Sequence, residues 1–177
     1  MARYHRDAGS GEQGGSAKHD DAFGLDIRAT VHADLVHDLR STPWPVPANH
    51  FKRVFCHDIV EHVPDVAAFL RELHRVCAPG AVVEIRTPHF SSWYAYNDPT
   101  HVHSFGYFFL DHFTTGETTV PSGGALFRYL ERRFLFSKAH RLTGASALAN
   151  RCPARYEQLF CWMFPCENLL IRMSPLK

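Results

Sequence analysis

A chain of 177 residues with 45% apolar side chains is long enough to bury one sizeable core. Its formal net charge of +1 excludes the dense basic surface of a dedicated nucleic-acid binder. No run of about 18 apolar residues occurs, so no membrane helix is expected, and the first residues lack a secretory signal's apolar stretch. Cys56, Cys77, Cys152, Cys161 and Cys166 make an odd set without a C-x-x-C pair. That points away from a disulfide framework or zinc knuckle and towards a reduced, cytoplasmic protein. No internal repeat or domain boundary interrupts the chain, so residues 1–177 are read as a single domain.

Residues 1–20 are rich in Gly and Ser. Read alone they are a flexible tail. Read beside the strands that come after them, Ala2 to Arg6 is a first strand and Asp7-Ala8-Gly9-Ser10-Gly11 a glycine turn, where missing Cβ atoms let backbone N–H groups approach a ligand. A second strand, Ala22 to Ile27, carries Asp26, fifteen residues after Gly11. An acid at such a tip can hold two ribose hydroxyls on its two oxygens, or it can be a solvated turn residue. A third short strand, Ala33 to His37, leads into Asp38-Leu39. A Pro-rich loop then returns the chain to Phe51, with Trp44 and Phe51 as core or lid aromatics.

The most regular stretch is Arg53 to His89. The short apolar run Val54-Phe55-Cys56 and the β-branched run around Val82-Val83 predict two strands. Between them Val66, Phe69, Leu70, Leu73, Val76 and Cys77 share one helical face. Asp65 can cap that helix and Pro79-Gly80 can stop it. Strand–helix–strand predicts a βαβ unit in an α/β sheet, whose ligands sit beyond the carboxyl ends of the strands. Those ends carry His57-Asp58 and Pro88-His89.

The segment after His89 holds Phe90, Trp93, Tyr94, Tyr96 and Phe105 with Asp98, His101 and His103, and lacks sustained periodicity. Long loops at this edge bind something or form a lid. A short helix is expected within Ser104 to Phe113, then an exposed loop, a strand over Leu126 to Phe136, a helix from Pro153 to about Met163, and a last strand from Asn168 to Met173.

Taken together, D-x-G-x-G, GLDI, VHDL, FCHDIVEHV…FLRELHRVCAPGA and VVEIRTPHFSS…DPTH resemble the class I S-adenosylmethionine-dependent methyltransferases. The likeness is to the small bacterial type with a D-P-T-H segment after strand five, and runs from about Asp7 to His103. It implies a three-layer Rossmann-like sheet, mostly parallel with an antiparallel last strand. It also implies S-adenosylmethionine as cofactor, with methyl transfer to oxygen or nitrogen of a small-molecule acceptor. Asp7, Gly9 and Gly11 resemble the first cofactor motif, Asp26 the ribose-binding acid, and Asp38 with Leu39 the adenine contacts. His57 is similar to the residue near the methionine end. Only about a dozen residues separate the glycine turn from strand two, so the usual first helix is shortened or absent.

In-line placement of a nucleophile supplies much of the rate of such a transfer, and a base helps when the acceptor carries a proton. His101 is the first candidate for base or acceptor contact, with Asp98 orienting it and His89 as the next. The competing reading makes D-P-T-H a turn, with Asp98 accepting backbone N–H groups. Glu61-His62 is read as pinning the start of the βαβ helix. No metal is assigned, although His89, Asp98, His101 and His103 lie close enough in sequence for a zinc-type site. A fold-retaining scaffold without catalysis is a third reading. A nicotinamide dehydrogenase is disfavoured because no G-x-G-x-x-G occurs.

Overall fold

The computed structural model describes residues 2–5, 22–27, 33–114 and 124–177. They build one seven-stranded sheet in the order β3-β2-β1-β4-β5-β7-β6. The strands are β1 (Ala2–His5), β2 (Ala22–Asp26), β3 (Leu35–Val36), β4 (Phe51–His57), β5 (Cys77–Pro88), β6 (Phe127–Leu135) and β7 (Asn168–Pro175). β2 pairs parallel with β3, and β4 with β5, while β7 lies antiparallel between β5 and β6. The expected α/β sheet with its antiparallel last strand is therefore present.

One strand departs from expectation. β1 runs antiparallel to both neighbours, with Ala2 beside Leu25 and Cys56, and His5 beside Ala22 and Arg53. The chain thus leaves β1 at the edge where β2 and β4 begin, opposite the edge that carries Asp26 and His57. Asp7, Gly9 and Gly11 lie outside the described residues.

The βαβ unit forms as its sequence dictates. Helix α1 (Val66–Val76) starts at Asp65, whose side chain accepts from Ala68 N at 2.8 Å. Phe69, Leu70, Leu73 and Val76 are buried and join the cluster of Val54, Cys56, Val83 and Ile85. Burying each of these large side chains contributes roughly 2 kcal/mol, so Leu73→Ala is enough to loosen the unit. Gly80, at φ 74°, makes the left-handed turn into the body of β5.

The two sides of the central strands differ. One carries Val54, Cys56, Val83, Ile85, Ile171 and Met173, all buried. The other carries an ionic chain: His57 Nε2 meets Glu84 Oε1 at 2.8 Å, Arg172 Nε donates to Glu84 Oε2 at 2.7 Å, and Arg172 reaches Glu131 at 2.8 Å.

Short helices α2 (Tyr94–Asn97) and α3 (Asp111–Thr114) interrupt the aromatic loop. The helix expected over Ser104 to Phe113 shrinks to α3. Here the Tyr107 N–H donates to Glu157 Oε1, and an added Cβ at Gly106 would lie 3.1 Å from the same oxygen. Between β6 and β7 the chain forms α4 (Lys138–Leu142), α5 (Ala145–Arg151) and α6 (Pro153–Leu159), of which only the last was expected. Among the described residues no helix is long and apolar enough to cross a membrane.

Candidate active site

The carboxyl ends of β4 and β5 open into a cleft of about 840 Å³, lined by Asp58, Glu61, His62, Arg86, Asp98 and His101 among others. Its floor begins where β4 stops. Asp58 adopts φ 55°, a left-handed conformation that Asp tolerates better than most residues, and its N–H donates to Arg86 O at 2.8 Å. The Arg86 guanidinium pairs with the Asp58 carboxylate across the strand tips. A 3-10 turn, Val60–His62, then aims Glu61 and His62 at the loop of residues 98–103.

That loop is tied down by backbone bonds. Val102 N and His103 N both donate to Glu61 O, at 2.9 and 3.3 Å. Asp98 Oδ1 accepts from Thr100 N at 2.8 Å and from Thr100 Oγ1 at 2.6 Å. The Thr100 side chain and backbone lower the Asp98 pKa, keeping it ionised. The turn reading of D-P-T-H is thus correct for Asp98, and it coexists with a place in the cleft.

Hydrogen bonding fixes the tautomers of both cleft histidines. His101 Nδ1 lies 3.2 Å from Ala95 O, and a carbonyl can only accept, so Nδ1 carries the proton. His62 Nδ1 faces Thr100 O at 3.2 Å and Thr100 Oγ1 at 3.0 Å. The threonine proton is committed to Asp98, so His62 Nδ1 is again the donor. Each ring therefore keeps its lone pair on Nε2. The two ring centroids are 4.7 Å apart.

Glu61 is the anomaly of the site. It is 2% exposed; Oε2 accepts from Thr87 Oγ1 at 3.0 Å, while Oε1 has no partner among the described residues. Burial pushes its carboxyl above the usual range, more than the nearby hydrogen bonds pull it down. One ligand atom from each of Glu61, His62 and His101 falls within 4.8 Å of the others.

The sequence-derived candidates are distributed unevenly. His101 and Asp98 line the cleft, with 4.0 Å between His101 Nε2 and Asp98 Oδ2. His89 does not reach it. Its ring is wholly buried, Nδ1 accepts from Ser91 N at 3.2 Å, and Nε2 meets Glu157 Oε1 at 3.0 Å. With both nitrogens engaged among Phe90, Phe134 and Tyr156, it is a core residue. His103 turns out to Pro64 O at 3.1 Å. His57 closes β4 on the ionic face, held by Glu84, and it is the next residue, Asp58, that lines the cleft.

At the other end of the same edge, Asp26 is half-buried at the tip of β2. The Asp38 carboxylate is gripped by Arg40 through Nε at 2.9 Å and Nη2 at 2.7 Å, which lowers its pKa. Leu39 O accepts from the Trp44 indole at 3.0 Å, fixing the start of the Pro-rich loop, with Trp44 and Phe51 both in the core. The loop aromatics divide as well: Trp93 and Tyr94 line the cleft, whereas Phe105 is buried.

Sequence reasoning pointed at the strand end that carries Asp58 without giving that residue a role, read Glu61-His62 as structural, and passed over Arg86. The available signal was the acid–His pair placed a few residues past a strand tip in a βαβ unit.

A seven-stranded α/β sheet ordered 3-2-1-4-5-7-6, with an antiparallel seventh strand and a cleft at its carboxyl edge, is a Rossmann-like methyltransferase fold. Residues 8–85 match a family model described as a methyltransferase domain. Similar solved structures include a SAM-dependent methyltransferase from Archaeoglobus fulgidus, at 17% identity and TM-score 0.57 over 86% of this chain and 75% of that one. Another is the Haloferax volcanii complex between the Trm112 methyltransferase activator and a putative methyltransferase, at 15% identity and TM-score 0.55, covering 88% and 72%. A third is an S-adenosylmethionine-dependent methyltransferase from Mesorhizobium loti, at 16% identity and TM-score 0.50, covering 86% and 79%. At these identities the likeness is one of fold. No curated protein sequence matches the chain.

At one end of this edge the residues present suit a nucleoside group. Asp26 is a half-buried acid at the tip of β2, suited to a pair of ribose hydroxyls. The Asp38 carboxylate would have to exchange Arg40 for an adenine amino group.

Proposed function

We propose that the protein transfers a methyl group from S-adenosylmethionine to a small-molecule acceptor held in the cleft beyond β4 and β5. One observation carries the reading: on a methyltransferase fold, a cleft at the strand tips presents a histidine, His101, whose Nε2 lone pair is fixed by the bond from Nδ1 to Ala95 O. The cofactor would be held by Asp26 and, after exchange of Arg40, by Asp38 and the Leu39 backbone. Bound there, it supplies a methyl on an activated sulfonium.

This chain's own residues do the remaining work. Trp93 and Tyr94, with ring centroids 4.0 Å apart, offer an apolar wall for the acceptor. His101 Nε2 takes the acceptor proton, and the ionised Asp98 beside it favours the resulting imidazolium. Arg86, held by Asp58, offers a cation for an acidic acceptor group. The domain is proposed to be single and cytoplasmic.

Calorimetry with S-adenosylmethionine tests the cofactor. Micromolar binding that is lost on Asp26→Ala supports the enzyme. A screen of candidate acceptors for S-adenosylhomocysteine then identifies the substrate. A second reading, a scaffold without catalysis, is favoured by the reversed β1 and the Asp38–Arg40 pair. No heat with millimolar cofactor would establish it.

A further inference from the structure

We propose that Glu61, His62 and His101 form a binding site for a divalent first-row transition metal of the zinc class, open to the cleft. Two imidazoles and one carboxylate form a donor set that zinc accepts in three-ligand sites with a vacant position. Their ligand atoms already lie within 4.8 Å of one another. Bonds of about 2.0–2.1 Å to one ion would draw them to roughly 3.3 Å apart. His62 is half-buried and His101 lies in a loop, so ring rotation and small loop shifts can supply that contraction.

Three observations support the site beyond proximity. Glu61 Oε1 is buried and has no partner among the described residues, although its neighbouring oxygen is held by Thr87. Buried carboxylate oxygens are ordinarily satisfied, and a cation meets that need directly. Both rings donate Nδ1–H to a carbonyl, the outer bond that directs Nε2 at a metal. Finally, Val102 N and His103 N on Glu61 O fasten the two ligand-bearing segments to each other, so the donors are held together before any ion arrives.

This cluster differs from the sequence-level grouping of His89, Asp98, His101 and His103, because His89 is sealed in the core and His103 faces Pro64. The inference does not rest on the methyl-transfer reading. The two meet at His101, since a bound ion would occupy the nitrogen otherwise free to take a proton. An acceptor hydroxyl on the metal's open position would then lose its proton more readily through the ion's charge.

The test uses the full chain, stripped with chelator and without cofactor or acceptor. Equilibrium dialysis against zinc, and titration with cobalt followed by its visible absorption, are expected to give one ion per chain. His62→Ala and His101→Ala should each weaken binding at least tenfold, and Glu61→Gln likewise. His103→Ala should leave binding unchanged. Fewer than one ion per ten chains at 100 µM zinc (about tenfold above the weakest site worth proposing), or equal losses in His103→Ala and His62→Ala, overturns the site. His62 is half-exposed, so its variant stays informative if His101→Ala fails to fold. A failure here leaves His101 as base untouched, whereas failure of cofactor binding leaves the metal site untouched.

Discussion

Two carboxylates from the same βαβ unit are buried in opposite ways. Glu84, in the middle of β5, is met by His57 on one oxygen and Arg172 on the other. Burial alone raises its pKa, but those two partners bring it down to about 2. Glu61, just past the tip of β4, is buried more completely, has one oxygen without a partner among the described residues, and is pushed up. A carboxylate in the sheet face is thus spent on holding strands together, while one at the edge is kept short of partners. Such undersatisfaction in a cleft is what sites that bind charge require, and its cost is carried by the packed βαβ around it.

Substitutions at the two positions should separate these roles. The largest effect is expected for Glu84→Gln, which breaks both pairs and should lower unfolding free energy by about 2 kcal/mol after discounting for solvent at His57 and Arg172. Because the folded pKa of Glu84 is below its unfolded value of about 4.5, this contribution is complete above pH 4.5 and disappears as pH falls towards 2. Urea melts of wild type and variant should therefore differ more at pH 7 than at pH 3, with the gap closing only below about pH 2; equal gaps at pH 7 and pH 3 would contradict the assignment.

His101→Gln comes next. It should reduce kcat/KM by about 100-fold with unchanged melting, since it removes the Nε2 function but leaves a hydrogen-bonding side chain. Loss of stability without specific loss of turnover would return His101 to a structural role. Smaller again is His57→Ala, which removes one of two partners of Glu84 and should cost about 1 kcal/mol. If it costs turnover as well, the ionic face and the cleft are not as separate as the geometry shows.

The smallest effect on stability belongs to Glu61→Gln. A neutral amide can still accept from Thr87, and it replaces a buried carboxyl that has one oxygen without a partner among the described residues, so stability in metal-free buffer should change by no more than about 0.5 kcal/mol or rise. Strong destabilisation would mean that Glu61 has a structural partner after all.

A physical boundary separates the parts legible in the residues from the rest. Helix α1, its Asp65 cap and strands β4 to β7 obey rules of local spacing, and the expectations match within a few residues. The direction of β1 does not, because it is decided by pairing with β2 and β4 and not by its own four residues. Helices α4 and α5 escaped notice because Gly144, at φ 76°, divides them into segments too short to show a period.

The histidines make the same point at the site. His89 and His101 stand in one loop with similar neighbours, yet Glu157, 68 residues downstream, draws the first into the core. Nothing near His89 announces that partner. Asp98 and His101 were recognisable because their partners lie within six residues of each. Glu61 was overlooked because a position beside a helix start suggests a cap, and its burial depends on the distant loop of residues 98–103.

The placement of β7 has a consequence for how the molecule is made. This strand, Asn168–Pro175, is inserted between β5 and β6 and supplies the ladder of both. Until residue 175 has cleared the ribosome, β5 and β6 each present an unpaired edge flanked by apolar side chains, an invitation to intermolecular pairing. The β4–α1–β5 unit can close early, because its contacts span few residues. Nascent chains stalled before Asn168 should accordingly contain a protected βαβ segment and still require a chaperone, with resistance to protease across Phe127–Leu135 arising only in chains long enough to expose residues 168–175.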